Sequence, residues 1–124
     1  MTMSFVNYSN HNSTRWSDAQ LEAAKAYGDI IDIPFANVPP TATKADVDAL
    51  AEQAVNEIVK AEPLMAMVQG EMTLVYNVVR RLEARGIKCV AACTRRRTDE
   101  EIQRLAAAGL TKEGMFEFMG FREY

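Results

Sequence analysis

The feature that most constrains this chain is an alternation of two hydrophobic periods along its length. Short apolar runs at Met3–Tyr8, Asp29–Ile33, Leu64–Val68 and Ile87–Cys93 read as strands. Between them, apolar residues recur every three or four positions, the spacing of an amphipathic helix. Strand, helix, strand, helix, strand, helix, strand is the order of a parallel sheet with crossover helices. Right-handed crossovers then put helices on both faces. A fifth strand is expected at Met115–Met119, where Glu117 marks a partly exposed edge. The expected fold is therefore α/β: one small doubly wound Rossmann-like domain over residues 1–124, with a mainly parallel sheet of about five strands.

Local punctuation supports this order. The second run is β-branched and alternating and is closed by Pro34, whereas the third is continuously apolar, as a central strand covered on both faces would be. Ser17-Asp18-Ala19-Gln20 has the capping-box pattern, Trp16 and Leu21 stand at the positions of a hydrophobic staple, and Gly28 supplies a left-handed stop. A second helix begins near Thr43 and carries Val47, Leu50, Ala51, Ala54, Val55 and Ile58 on one stripe. A third runs from about Glu71 to Arg85, with Leu74, Val75, Val78, Val79 and Leu82 inward and Gly86 at its end. A fourth covers Asp99 to Ala108.

Composition narrows the class of partner. A chain of 124 residues, nearly half of them apolar, can bury a core without staples. Its net charge of −3 argues against a binder of long nucleic acid, which needs a basic excess. No run is long and apolar enough to span a bilayer and no basic-then-apolar leader opens the chain, so a cytoplasmic protein with no membrane partner is expected. Cys89 and Cys93 cannot bridge within one extended strand, and with a single histidine they form no zinc pattern. Both are read as small core residues, and no metal or cofactor is expected.

In a parallel sheet every strand-to-helix loop lies at the carboxyl edge, where ligands bind near the reversal of strand order. Four polar sets fall there. The first loop carries Ser9, Asn10, His11, Ser13 and Arg15, and the second carries Phe35 and Asn37. The third is Gln69-Gly70-Glu71-Met72-Thr73, and the fourth is Thr94-Arg95-Arg96-Arg97-Thr98. Gly70 lets backbone approach a ligand, and the helix that follows offers unpaired N–H groups. Glu71 either stabilises that helix end or accepts hydrogen bonds from a ribose or base. Gln69 suits a base edge. The arginines are either a solvated face or, for Arg95 or Arg96, a planar fork for phosphate.

The chain contains no P-loop, no dinucleotide-binding glycine fingerprint and no nucleophile elbow. The chemistry consistent with this edge is metal-free attack of a ribose 2′-hydroxyl on the adjacent phosphorus, held in line by the protein. Histidine serves as acid or base near neutral pH. His11 is the candidate, with Ser9, Asn10 and Ser13 orienting and Arg95 or Arg96 on the phosphate. The alternative is that His11 only donates hydrogen bonds within its own loop.

"NYSNH" after the first strand, "VQGEMT" opening a helix after the third, "CTRR" after the fourth and the tail "FEFMGFREY" resemble the small stand-alone CRISPR-associated Rossmann-like proteins. These are related to CARF domains and are proposed ring nucleases. The resemblance implies a homodimer that binds a cyclic oligoadenylate, the tetra-adenylate above all, and cleaves it without metal to switch off a type III response. The positions that match are Ser9, Asn10 and His11; Gln69, Gly70, Glu71 and Thr73; and Thr94, Arg95 and Arg96. Residues 99–113 match least, because the resemblance implies a turn there. Two other classes stay open: a non-catalytic sensor or sponge for the same ligand, and a nucleotide or nucleoside enzyme sharing only the fold.

Overall fold

A computed structural model describes residues 3–124. Its elements follow the alternation read from the sequence: β1 (Ser4–Ser9), α1 (Asp18–Lys25), β2 (Asp29–Pro34), α2 (Lys44–Lys60), β3 (Pro63–Val68), α3 (Met72–Glu83), β4 (Lys88–Arg96), α4 (Asp99–Ala107) and β5 (Phe116–Glu123). The five strands form one sheet in the order β2-β1-β3-β4-β5. The first four are parallel, and β5 returns antiparallel to β4. The fold is thus α/β and mainly parallel. No helix among the described residues is long and apolar enough to cross a membrane.

Side chains alternate across a strand, and the two faces collect different partners. Val6, Tyr8, Ala66, Val68 and Cys89 pack with Val55 and Ile58 of α2 and with Leu74, Val78 and Leu82 of α3. Phe5, Met65, Met67 and Val90 turn the other way, toward Trp16 and Ala24 beside and within α1. Each fully buried Val, Leu or Phe contributes about 1.5–3 kcal/mol. Burial also holds the Cys89 thiol up at about 12, so it behaves as a small core group. Cys93, read as core too, is only half-buried.

Three local details differ from the sequence reading. Ser17 caps α1 by accepting from the Gln20 N–H at 3.3 Å, but the Gln20 side chain turns away to Met67 Sδ, 3.7 Å off, so the box is half made. Complete capping boxes occur instead at Thr43 with Asp46 and at Thr98 with Glu101. Gly28, at φ +145°, follows the end of α1 where a Cβ would lie 2.3 Å from the Met3 carbonyl oxygen; the close approach of β1 is what requires it.

The largest difference is at β4. Thr94-Arg95-Arg96 was expected as loop, yet β5 pairs with it residue for residue from Thr94↔Phe118 to Arg96↔Phe116, past a bulge after Cys93. The antiparallel β4–β5 pair therefore rises beyond the carboxyl edge as a wall. Behind it, residues 99–107 are helical, contrary to the turn that the resemblance implied. This α4 buries none of its side chains and is tied down by charge. Arg95 donates to the Glu101 carboxylate through both terminal nitrogens, at 3.0 and 2.8 Å, and to Glu117 at 3.0 and 2.8 Å.

That clamp sets a pH dependence. Arg95 beside it, with the Thr98 N–H, holds the Glu101 carboxyl down at about 2, below the ordinary value near about 4.3. A depressed folded pKa gives stabilisation that is complete above the ordinary range and lost as pH falls from it toward 2. Amide exchange of residues 99–107, corrected for the intrinsic rate at each pH, should stay slow at pH 5 and quicken near pH 2. Glu101→Gln should show the quick exchange already at neutral pH; unchanged protection in that variant would refute the clamp.

Candidate functional site

The order β2-β1-β3 places the strand reversal at β1 and β3: the chain leaves β1 toward β2 on one side and enters β3 on the other. Loops that diverge from adjacent strands leave a crevice between them. A cleft of about 550 Å³ lies there, on the face that carries α1. Ser9, Asn10 and His11 border it from the end of β1, and Gln69 and Gly70 from the end of β3. Arg15, Trp16, Ser17 and Gln20 form the α1 side, and Met67 and Ala92 the floor. Thr94, Phe116 and Phe118 form the wall raised by the β4–β5 pair, with Glu113 at its foot.

The loop after β1 is ordered by a buried polar network. Asn7 is 1% exposed in the middle of β1, and a buried amide must be fully hydrogen-bonded. Its Nδ2 donates to Asp32 Oδ1 and to the His11 carbonyl, both at 2.8 Å, and its Oδ1 accepts from Ser9 Oγ at 2.6 Å. Asp32, on β2 beside Asn7, also accepts from the Ser13 N–H at 2.9 Å and the Ser13 hydroxyl at 2.7 Å. The loop folds back because these two strand residues need it. His11 is left exposed at the cleft with its backbone held by Asn7 and Ser9.

The loop after β3 is held as firmly. Gln69 Oε1 accepts from the Ala92 N–H at 2.7 Å, beyond the last paired residues of β3 and β4. With its oxygen so engaged, the amide keeps Nε2 as a donor for a guest. Gly70 is packed on the Phe35 ring, where a Cβ would come within 2.6 Å of a ring carbon. Phe35 in turn stacks at 4.9 Å on Tyr8, whose hydroxyl accepts from the Ala36 N–H.

The site residues expected from sequence therefore divide. Ser9, Asn10, His11, Gln69, Gly70 and Thr94 border one cleft. Ser13 faces Asp32 instead. Glu71 is the N-cap of α3: it accepts from Thr73 N, Leu74 N and, at 2.6 Å, the Thr73 hydroxyl, which holds its carboxyl below the usual range. Glu71 and Thr73 satisfy each other outside the cleft.

The arginine run divides three ways. Arg95 is spent on Glu101 and Glu117, whose hydrogen bonds push its pKa up, and Arg96 is exposed without bordering the cleft. Arg97 is 6% exposed and donates to the carbonyls of Glu113, Gly114 and Phe116, at 2.6, 3.2 and 2.8 Å, which fastens the 113–116 segment. The cation that borders the cleft among the described residues is Arg15, from a 3-10 turn at Ser13–Arg15. The sequence placed Arg15 at this edge without a role. Phe116 and Phe118 were read as part of the last strand and of the tail motif but not as site residues, because only their pairing with β4 brings them here.

The sequence matches the family described as "uncharacterized protein MJ1673" over residues 3–122, nearly its whole length, and the chain belongs to that family. No curated protein and no solved structure matches it significantly.

Asp32 should prove the keystone of the site. Removing a carboxylate that serves three donors strands buried partners and costs about 1–3 kcal/mol, more where the charge counts. Asp32→Ala should lower the urea midpoint accordingly and shift Trp16 emission to the red as the 9–16 loop loosens. Unchanged midpoint and emission would show that the loop is ordered by something else.

Proposed function

We propose that this member of the MJ1673 family binds a cyclic oligoadenylate at the cleft between β1 and β3 and cleaves it by attack of a ribose 2′-hydroxyl on the adjacent phosphorus. The observation that carries the reading is the lining of that cleft. Phe116 and Phe118 offer aromatic surface for bases, while His11, Arg15 and the Gln69 amide offer donors to phosphate and ribose. The sequence resemblance supplies the ring, and a two-fold ring fits a homodimer in which two identical clefts meet.

In the proposed step the 2′ oxygen bonds to phosphorus as its proton passes to the His11 imidazole. The P–O5′ bond breaks, and the leaving 5′ oxygen takes a proton from His11 or water. The products are a 2′,3′-cyclic phosphate and a free 5′-hydroxyl, so no oxidant or second substrate is consumed. Arg15 stabilises the charge that builds on the phosphoryl oxygens. His11 is well placed for this because its backbone is fixed while its ring is exposed at the cleft.

A second reading has its own support. Arg95 is occupied by two carboxylates, so each cleft presents a single guanidinium among the described residues. That is sparse provision for a cleavage transition state and adequate for a sensor that holds the ring intact.

Incubation of the purified protein with cyclic tetra-adenylate in EDTA, resolved by chromatography, separates the two. Linear products are expected. His11→Ala should slow their formation by about 100-fold or more, the usual worth of a general acid or base, with binding retained. Arg15→Ala should weaken both. Binding without products would establish the sensor, and neither binding nor products would refute the ligand.

A further inference from the structure

We propose that Tyr124 is a positioning residue of the cleft: from the opposite face of the sheet it braces the end of β3 and so fixes Gln69, whose amide borders the ligand. What Gln69 meets rests on the ligand reading above; the brace itself is argued from the sheet. Strands β3 and β4 pair from Met65↔Lys88 to Met67↔Val90 and then part, while β4 continues with β5. The Gln69 N–H donates to the Tyr8 carbonyl of β1 at 3.2 Å, so the Val68 carbonyl of the same peptide points the other way, toward β4. A continued parallel ladder would take that carbonyl to the Ala92 N–H. The rung is missing, and backbone groups inside a sheet seldom go unpaired.

Two side chains complete that rung from opposite faces. On the cleft side Gln69 Oε1 accepts from the Ala92 N–H at 2.7 Å. On the α3 side the Tyr124 hydroxyl donates to the Val68 carbonyl. Tyr124 is itself footed on β4, where its N–H donates to the Cys89 carbonyl at 3.2 Å. Its ring therefore crosses from β4 to β3 beside Val75 and Val79 of α3, as a strut over the gap. The peptide between Val68 and Gln69 is planar, and it is held on both edges, by Tyr8 and by Tyr124. It cannot turn without breaking both bonds. The Gln69 side chain starts from that fixed plane, and with Oε1 on Ala92 its Nε2 is the group left for a guest. A tyrosine that merely anchored the last strand would need its N–H and its ring, and the hydroxyl would have no task.

Tyr124→Phe keeps the ring and removes the hydroxyl. With folding checked by circular dichroism, NMR of the full chain should show the Gln69 side-chain amide loosen in this variant, its order parameter falling below about 0.6. Exchange of the Ala92 amide should quicken by about 5-fold, the worth of one hydrogen bond, and by more than that of the β1 amides. Titrated with cyclic tetra-adenylate, the variant should bind about 5-fold more weakly than the wild type, on the same reasoning. Gln69→Ala should weaken binding at least as much, and adding Tyr124→Phe to it should cost nothing further, because the residue it acts through is gone. A Gln69 amide equally ordered in Tyr124→Phe, or losses that multiply in the double variant, would overturn the brace. A wild type that binds no ring refutes the ligand reading, and the NMR comparison then decides the brace alone.

Discussion

Strand β1 lies between β2 and β3 with all six of its side chains buried, and the rest of the molecule answers to that placement. A strand covered on both faces can be apolar throughout, yet β1 carries Asn7 in its middle and Ser9 at its end. Leaving a buried amide unpaired costs far more than pairing it returns. Asp32 of β2 and the loop that follows β1 therefore supply the partners. The same bonds that pair Asn7 hold His11 at the edge. Structural need and candidate chemistry share one set of atoms.

Around that strand the two faces of the sheet are finished differently. On the α2 and α3 side the core is closed by two helices. On the α1 side one short helix covers the sheet only in part, and aromatic residues extend the cover: Phe121 packs on Phe5 at 5.0 Å, and Phe118 meets Phe121 edge-on at 5.0 Å. Where that cover stops, the floor of Met67 and Ala92 is open and the cleft begins. Its position follows from incomplete covering as much as from strand order.

Charges are allotted in the same economical way. The three consecutive arginines do three separate jobs: Arg95 clamps α4 and β5, Arg97 ties down the segment before β5, and Arg96 meets solvent. Arg15, from a different loop, is the one that reaches the cleft. The outer flank of α3 meets the cleft at Gln69 and Gly70, which border both hollows.

What the sequence determined by itself was local. Periodicity located the strands and helices, Ser17 and Gly28 marked helix boundaries, and the parallel order put the loops after β1 and β3 at one edge. That was enough to bring Ser9, Asn10, His11, Gln69 and Gly70 together, because adjacent strands leave them no other place. Tertiary structure decided everything that depended on a distant partner. Ser13 reads as an orienting neighbour of His11 until the Asp32 carboxylate, nineteen residues on, accepts its hydrogen bond. Arg95 reads as a phosphate ligand until the antiparallel return of β5 sets Glu117 opposite it. That return also turned an expected loop into strand and raised Phe116 and Phe118 beside the cleft. Periodicity reports which face of an element is buried, through short-range geometry; it carries no record of which residue from elsewhere in the chain will meet that face.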